Sequence, residues 1–306
     1  MTHITPHIAL VMDKLDFPEE CVNAISEAAR VLDCDTELAG SFDGAVSAYL
    51  ATDRSDMADA VDAMTELSEK CGVNRYTLNL LFVLSCTEDM LNRYREKGIS
   101  EDIYWDSVRD IRYKMLECVE CRGAVGSFVP NWYTGFFKLN RFALGRFQFE
   151  KKLCDTEGGY TAKCGLYIAP GSPVLNFHIP SSGVSLTDEV RFDSYRRAYE
   201  FYADLFDGGP AVFCCGSWLL YPRHTEFLPS NSNVLRFMSD FEIIRSSEQE
   251  TFRNDWRLFG RYFELPYSEL PEDTSLRRAY KQWLVAGNKA GDGFGYIVFD
   301  GERILR

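Results

Sequence analysis

The segment Val174–Val190 contains the residues whose types and spacing best suit chemistry. Its first part, Val174 to Ile179, predicts a strand, and the small residues Ser181, Ser182 and Gly183 follow before a helix begins. Backbone N–H groups in such a loop can approach a ligand closely, and a helix N-terminus carries partial positive charge that attracts phosphate. The pattern therefore indicates either a phosphate-binding loop or an ordinary strand–loop–helix turn.

The helix predicted after this loop begins near Ser185. Asp188 stands three positions on, and the pair resembles a capping box. Aromatic residues then recur at three- and four-residue steps as far as Phe206, which is typical of an amphipathic helix. Cations that lie within reach of a phosphate in sequence are Arg191, Arg196 and Arg197.

Histidine is a further candidate, because its ring can act as a general base near neutral pH. The chain has four histidines, and His3 and His7 lie close to the N-terminus. His178, at the end of the predicted strand, and His224 are therefore the credible catalytic ones. The alternative for each is a partly buried ring packed at the end of a sheet.

The segment VFCCGSWLLYPRH places Cys215, Ser217 and Tyr221 at the end of another predicted strand. A thiol nucleophile there would need a histidine beside it, whereas cysteines in a buried strand are more often core residues. Cys118 and Cys121 form at most half a zinc site, since no second pair has matching spacing. We expect no metal site.

Composition excludes several partners. The chain has 46 acidic and 33 basic residues and a net charge of −13, so nucleic acid and anionic membranes are not expected as partners. No stretch approaches ~18 consecutive apolar residues, so no membrane span is predicted. The N-terminal sequence lacks signal-peptide character. The ten cysteines are expected to be reduced, and the predicted location is cytoplasmic.

The elements that would position these residues fall into two halves. The first half shows apolar residues at helical spacing almost throughout, and the pattern changes between Gly123 and Asn131. Later segments alternate strand and helix signals, which predicts an α/β or α+β sheet with helices on its faces. The predicted domains are residues 1–125 and 126–306. The strand-like segments are WYTGFFKLNRFALGRFQFEKKLC, KCGLYIAP, PVLNFHI, PAVFCCGSWLLY and FGYIVFD.

Five motifs of the second half give the chain a family resemblance. The chain resembles bacterial two-domain acyltransferases, in which a helical N-acyltransferase N-terminal domain precedes a GNAT-like C-terminal domain. The resemblance implies an α+β fold, all helical first and a mixed α/β domain second. The residues that carry it are LGRFQFE, FHIP leading into LTDE, GSWLLYP, LPSNSNVLRF and DTSLRRAYKQWLVAGNKAGDGFGYI.

The resemblance also implies where a cofactor binds. In GNAT folds, acyl-coenzyme A lies in a gap between the fourth and fifth strands, here Val174–Ile179 and Ala211–Cys215, and its pyrophosphate meets the loop that follows the fourth strand. The loop departs from the usual glycine pattern, because it contains one glycine. The implied cofactor-binding residues are Ile179, Ser181, Ser182, Gly183, Val184 and Ser185.

The implied reaction is direct transfer of the acyl group to a small-molecule or peptide amine. A backbone N–H near His178 would stabilise the oxyanion. His178 and Glu150 are the implied candidates for the base, and Tyr221 for the acid that protonates the departing thiolate. Cys215 would take no part. The alternative function is a non-catalytic acyl-coenzyme A-binding or partner-binding protein with a degenerate GNAT fold.

Overall fold

The computed structural model describes residues 2–306, and the chain forms two compact units that divide between Phe142 and Ala143. The first unit is helical and the second is built on a mixed sheet. The predicted order, helices first and then a mixed α/β region, is thereby confirmed.

The helices of the first unit begin and end at residues suited to capping. Asp35, Asn74 and Ser100 cap three N-termini with their side chains, as expected for these residue types, and Gly72 and Gly123 end two helices in the left-handed conformation. The helices are α1 (Pro6–Lys14), α2 (Glu19–Asp33), α3 (Thr36–Leu50), α4 (Ala58–Cys71), α5 (Arg75–Ser85), α6 (Thr87–Glu96), α7 (Glu101–Arg122) and α8 (Thr134–Phe137).

The segment after α7 packs against the start of α5. The Ser127 N–H donates to the Tyr76 carbonyl at 2.9 Å, and the Thr77 hydroxyl donates to the Val125 carbonyl at 2.6 Å. These contacts tie the segment to the helical unit, which therefore extends to Phe142. The division predicted from the sequence, between residues 125 and 126, stays a prediction.

The second unit contains a six-stranded sheet with the order β1-β2-β5-β6-β8-β7 and a separate two-stranded hairpin, β3-β4. In the larger sheet β5 and β6 are parallel, whereas β2 with β5, β6 with β8 and β7 with β8 are antiparallel. The strands are β1 (Arg141–Leu144), β2 (Phe147–Leu153), β3 (Tyr160–Thr161), β4 (Tyr167–Ile168), β5 (Pro173–His178), β6 (Ala211–Ser217), β7 (Glu242–Glu248) and β8 (Gly291–Phe299).

An aromatic core fills one face of this sheet. Phe149 and Phe177, from β2 and β5, lie on this face because side chains alternate along a strand, and Phe177 has its ring centroid 4.7 Å from that of Phe147. Tyr195 stacks on Phe147 and Phe213.

The helices of the second unit are α9 (Asp188–Phe201), α10 (His224–Phe227), α11 (Asn233–Ser239), α12 (Asp255–Phe259) and α13 (Ser275–Val285).

The structure corrects some of the predicted elements. Residues 130–137 form a 3-10 helix followed by α8, not a strand. β7 was not predicted; its second half is exposed and polar, so it lacks the alternating pattern of a half-buried strand. The helix after the loop is capped at Thr187, not Ser185, and no side chain bonds its cap. Across residues 2–306, no helix is long and apolar enough to cross a membrane.

Candidate functional site

The two parallel strands at the centre of the sheet pair along only part of their length. Among the described residues, β5 and β6 pair at Leu175 with Phe213 and at Asn176 with Cys214. Beyond these positions β5 continues to His178 and β6 to Ser217. Both strands run in the same direction, and the pairing stops at Asn176 and Cys214 although both strands continue. Their C-terminal ends are therefore unpaired and leave a gap at this end of the sheet, which we call the β5–β6 gap.

A polar cluster lies beside the β5–β6 gap, on the face opposite the aromatic core. The antiparallel register sets Glu150 of β2 directly opposite Asn176 of β5. The Glu150 Oε1 atom lies 3.1 Å from the His178 Nε2 atom and accepts a hydrogen bond from the Asn176 Nδ2 atom at 3.2 Å. Both ionisable side chains are partly accessible, with 19% of Glu150 and 24% of His178 exposed. The structure therefore brings the two predicted base candidates together.

This cluster can accept a proton. A carboxylate that accepts a hydrogen bond from one ring nitrogen orients the imidazole and stabilises its protonated form. Asn176 donates to the same carboxylate oxygen, so it fixes the position of Glu150 as well. The arrangement suits transfer of a proton from a nucleophile that enters the gap.

The cysteines beside the cluster do not suit nucleophilic chemistry. Burial raises the pKa of the Cys214 thiol to about 12 and raises the pKa of the Cys215 thiol well above its usual value. Both residues are buried core members of β6. A thiol held in its protonated form is a weak nucleophile, which agrees with the expectation that Cys215 takes no part.

The β5–α9 loop (residues 179–187) contains every predicted cofactor-binding residue. Ser181, Gly183, Val184 and Ser185 are exposed, and Ile179 and Ser182 are half-buried. Gly183 has a φ of +76°, and an added Cβ would meet nothing within 4 Å. The loop is thus open to solvent at its small residues, as close contact between backbone and ligand requires.

The charges around the loop differ from those predicted. Arg191 is buried at 2% exposure, and its Nε and NH2 atoms bind Asp240 at 2.7 and 3.2 Å. Arg197 pairs with Asp193 on the surface. Arg191 is therefore not available to a phosphate. The first turn of α9 carries Asp188 and Glu189, which favour the helix but oppose an anion.

A different arginine lies against the loop. Arg146 stands in the two-residue turn between β1 and β2. Its Nε atom donates to the Val184 carbonyl at 2.9 Å and its NH1 atom donates to the Pro180 carbonyl at 2.8 Å. Sequence reasoning missed this residue, although it lies within the LGRFQFE motif; a glycine followed by a cation between two strand signals was the available clue.

A cleft of about 470 Å³ adjoins the β5–α9 loop. Its volume lies within the range of small-molecule sites. Leucine and valine side chains supply the apolar lining, and serines and asparagines supply the polar groups. The lining residues are Val184, Ser185, Leu186, Leu228, Pro229, Asn231, Ser232, Asn233, Val234, Ser275 and Leu276.

Tyr221 occupies a different part of the same end of the sheet. Its hydroxyl donates to the Glu248 Oε1 atom at 3.1 Å, and its ring lies where a Cβ on Gly291 would stand. Glu248 and Gly291 belong to β7 and β8, on the side of β6 away from β5. Burial raises the pKa of Tyr221, and the hydrogen bond to Glu248 raises it further. The structure does not bring Tyr221 to Glu150 and His178, and its acid role stays a prediction.

His224, the other candidate histidine, is completely buried. Its Nε2 atom is hydrogen-bonded to the Tyr280 hydroxyl, and burial lowers its pKa to about 4. Rings of Trp218, Phe227 and Tyr280 surround it. A histidine in this setting packs against α13 and has no exposed surface for a substrate to contact.

Comparison with protein-family models matches both units. Residues 6–139 match the model described as "N-acyltransferase N-terminal domain". Residues 141–297, about half of the chain, match the model described as "GNAT-like C-terminal domain". The curated proteins contain no match to the chain.

Solved acyltransferases share the fold. A mutant acyltransferase in complex with octanoyl-CoA is 22% identical, with a TM-score of 0.74 over 96% of this chain and 88% of that chain. An acyltransferase in complex with decanoyl-CoA and teicoplanin is 22% identical, with a TM-score of 0.72 over 95% and 87%. An acyltransferase in complex with CoA and 10C-teicoplanin is 21% identical, with a TM-score of 0.74 over 96% and 88%.

Proposed function

The chain belongs to the family of N-acyltransferases with a GNAT-like C-terminal domain, and from this premise we propose that it transfers an acyl group from acyl-coenzyme A to an amine. The observation that carries the proposal is the β5–β6 gap with Glu150 and His178 beside it. Such a gap can admit an extended thioester between two strands while a base stands at its edge. The acyl-CoA complexes of similarly folded acyltransferases support the choice of co-substrate.

The β5–α9 loop and the adjoining cleft are proposed to hold coenzyme A. In this proposal, backbone N–H groups of the loop, among them those of Ser181 and Ser185, contact the pyrophosphate, since the acidic first turn of α9 leaves the loop amides as the more suitable donors. Gly183 permits close approach, because no side chain projects from it. The cleft offers apolar walls and amide groups of the kind that a pantetheine chain requires.

The proposed reaction forms one bond and breaks another. The nitrogen of the acceptor amine attacks the thioester carbon, a C–N bond forms, and the C–S bond breaks to release the coenzyme A thiolate. A backbone N–H on the edge of β5 that faces the gap stabilises the oxyanion. The proton of the amine passes to His178, whose ring Glu150 holds and stabilises in the charged form. The proton that neutralises the thiolate comes from Tyr221 or from water.

The proposed acceptor is a primary amine on a small molecule or peptide. Teicoplanin, which is present in the complex of one similarly folded acyltransferase with decanoyl-CoA, is a suitable first compound for an acceptor panel. The net charge of −13 favours a cationic acceptor over an anionic one. We place the reaction in the cytoplasm, a reducing compartment in which the ten cysteines would stay as thiols.

The test combines binding and turnover. Thermal-shift titration with CoA, acetyl-CoA, octanoyl-CoA and decanoyl-CoA should raise the melting midpoint for at least one of them, because a ligand of the folded state stabilises it by mass action. Release of CoA thiol is then followed with an amine panel. No shift with any of the four ligands would contradict the proposal, and a shift without transfer to any amine would favour the non-catalytic alternative.

Matched variants then assign the chemistry. Glu150→Gln should lower kcat about 100-fold or more, because a neutral amide does not stabilise the protonated ring of His178 and the contribution of that general base is lost; acyl-CoA binding should be retained. Glu157→Gln makes the same chemical change at an exposed position and should leave kcat unchanged. Equal kcat values for the two variants would remove Glu150 from the mechanism.

A further inference from the structure

We propose that Arg146 is a positioning residue for acyl-coenzyme A, and that it acts by fixing the backbone of the β5–α9 loop. The identity of the ligand rests on the proposed function, whereas the fixation of the loop rests on the contacts alone. The guanidinium binds two loop carbonyls, Pro180 at 2.8 Å and Val184 at 2.9 Å. Hydrogen bonds from a charged donor are the stronger kind.

The two contacts span the exposed part of the loop. Pro180 and Val184 lie on either side of Ser181, Ser182 and Gly183. One rigid guanidinium therefore joins both ends of this stretch, and the stretch cannot open without breaking a charged hydrogen bond. Glycine at position 183 would otherwise make the stretch flexible.

Arg146 is itself held in place by α9. Gly145 has a φ of +73°, and a Cβ there would lie 3.2 Å from the Asp193 Oδ2 atom and from the Ser194 Cα atom. The Phe147 N–H donates to the Ser194 Oγ atom at 3.0 Å, and that hydroxyl donates to the Leu144 carbonyl. The turn that carries Arg146 is thus fastened to the helix that follows the loop.

A second arginine fixes the far end of the loop. The Arg191 NH1 atom donates to the Leu186 carbonyl at 2.7 Å, while Asp240 holds the rest of its guanidinium. Three loop carbonyls, those of Pro180, Val184 and Leu186, therefore face arginine side chains. This second anchor is buried, whereas Arg146 is only half-buried, so the accessible end of the loop depends on Arg146.

The geometry of the peptide bond connects these anchors to the ligand. In a trans peptide, the C=O of one residue and the N–H of the next point in opposite directions, and none of the described peptide bonds is cis. Carbonyls directed at the arginines therefore direct the N–H groups of Ser181, Ser185 and Thr187 to the other side. Arg146 would orient donors for an anion without touching the anion itself.

The first arm of the test measures the loop in the ligand-free protein. Hydrogen exchange of the amides between Ser181 and Thr187 should become about tenfold faster in Arg146→Gln, because the loop opens more often. Arg146→Lys keeps one charged donor group, so its exchange rate should lie between those of the wild type and Arg146→Gln. Arg303→Gln removes the same charge at an exposed site and should match the wild type. Unchanged exchange in Arg146→Gln would overturn the proposal, whatever happens to activity.

The second arm measures the consequence for the co-substrate. In Arg146→Gln the KM for acyl-CoA should rise about tenfold while kcat changes less than twofold, since the base cluster is untouched. A tenfold change corresponds to about 1.4 kcal/mol. A raised KM with wild-type loop exchange would mean that Arg146 contacts the phosphate directly, which overturns a positioning role. If the wild-type protein binds no CoA ligand, the proposed function fails, and hydrogen exchange still decides whether Arg146 fixes the loop.

Discussion

Acidification is predicted to destabilise the second unit through His224, and this prediction separates a structural histidine from a catalytic one. His224 begins α10 and has no exposed surface. Its ring is hydrogen-bonded to Tyr280 and enclosed by Trp218 and Phe227. Burial lowers the pKa to about 4 from the ordinary value of 6.5, because the buried ring has no water around it to solvate a positive charge.

The sign and size follow from proton linkage. The folded pKa is depressed, so between pH 6.5 and 4 the unfolded chain binds the proton and the folded chain does not. The contribution of neutral His224 to stability is therefore fully present above pH 6.5 and is lost as the pH falls towards 4. A difference of about 2.5 pKa units at about 1.4 kcal/mol each amounts to about 3.5 kcal/mol in full. Roughly 3 kcal/mol of this is lost by pH 4, where the folded ring is half protonated.

Urea unfolding at pH 7.0, 5.5 and 4.0 tests this, with tryptophan fluorescence as the signal because Trp218 lies against the histidine. His224→Gln cannot titrate, so it should lose roughly 3 kcal/mol less than the wild type between pH 7 and pH 4. Carboxylates elsewhere titrate in both proteins and cancel in the difference. A flat difference between the two stability curves would refute the reasoning and reopen His224 as a candidate base.

Two further predictions concern the supports of the loop. Asp240→Asn should lower stability by about 3 kcal/mol, because it removes the buried one of the two carboxylates that pair with buried Arg191. Asp188→Asn removes the partner that is 62% exposed and should cost under about 1 kcal/mol; equal shifts in the melting midpoint would contradict this. Gly145→Ala should destabilise the chain more than Gly183→Ala, since both glycines have positive φ but only the first has neighbours within 4 Å; calorimetry that ranks them in the reverse order would refute the crowding argument.

The sequence was sufficient for the elements whose signals are local. Helical spacing identified most of the first unit, and the strand, loop and helix around the β5–α9 loop lie within a few residues of their predicted bounds. His178 was recognised from its place at the end of a strand. The resemblance then supplied Glu150 as the other candidate for the base, and the structure sets the two side chains 3.1 Å apart.

Features that depend on tertiary contacts were not predictable. Arg191 lies in the right stretch of sequence to meet a phosphate, yet Asp240, 49 residues away, binds it in the interior. Asn176 lacks any motif, and its role appears only when the register places it opposite Glu150. β7 gave no strand signal, because it lies at the edge of the sheet and its second half is exposed. An edge strand shows an apolar pattern only where its side chains are covered by other residues.

The alternation of side chains along β2 and β5 explains how stability and chemistry share the same strands. Phe149 and Phe177 are paired across the strands and face the aromatic core, while Glu150 and Asn176, one residue away on each strand, face the polar cluster. A shift of one residue in the pairing of β2 with β5 would exchange the two faces of the strand. The aromatic pair therefore fixes the register in which Glu150 and His178 lie next to each other. Conservative changes at Phe177 should therefore alter stability first, and should reduce catalysis only when they are large enough to disturb that register.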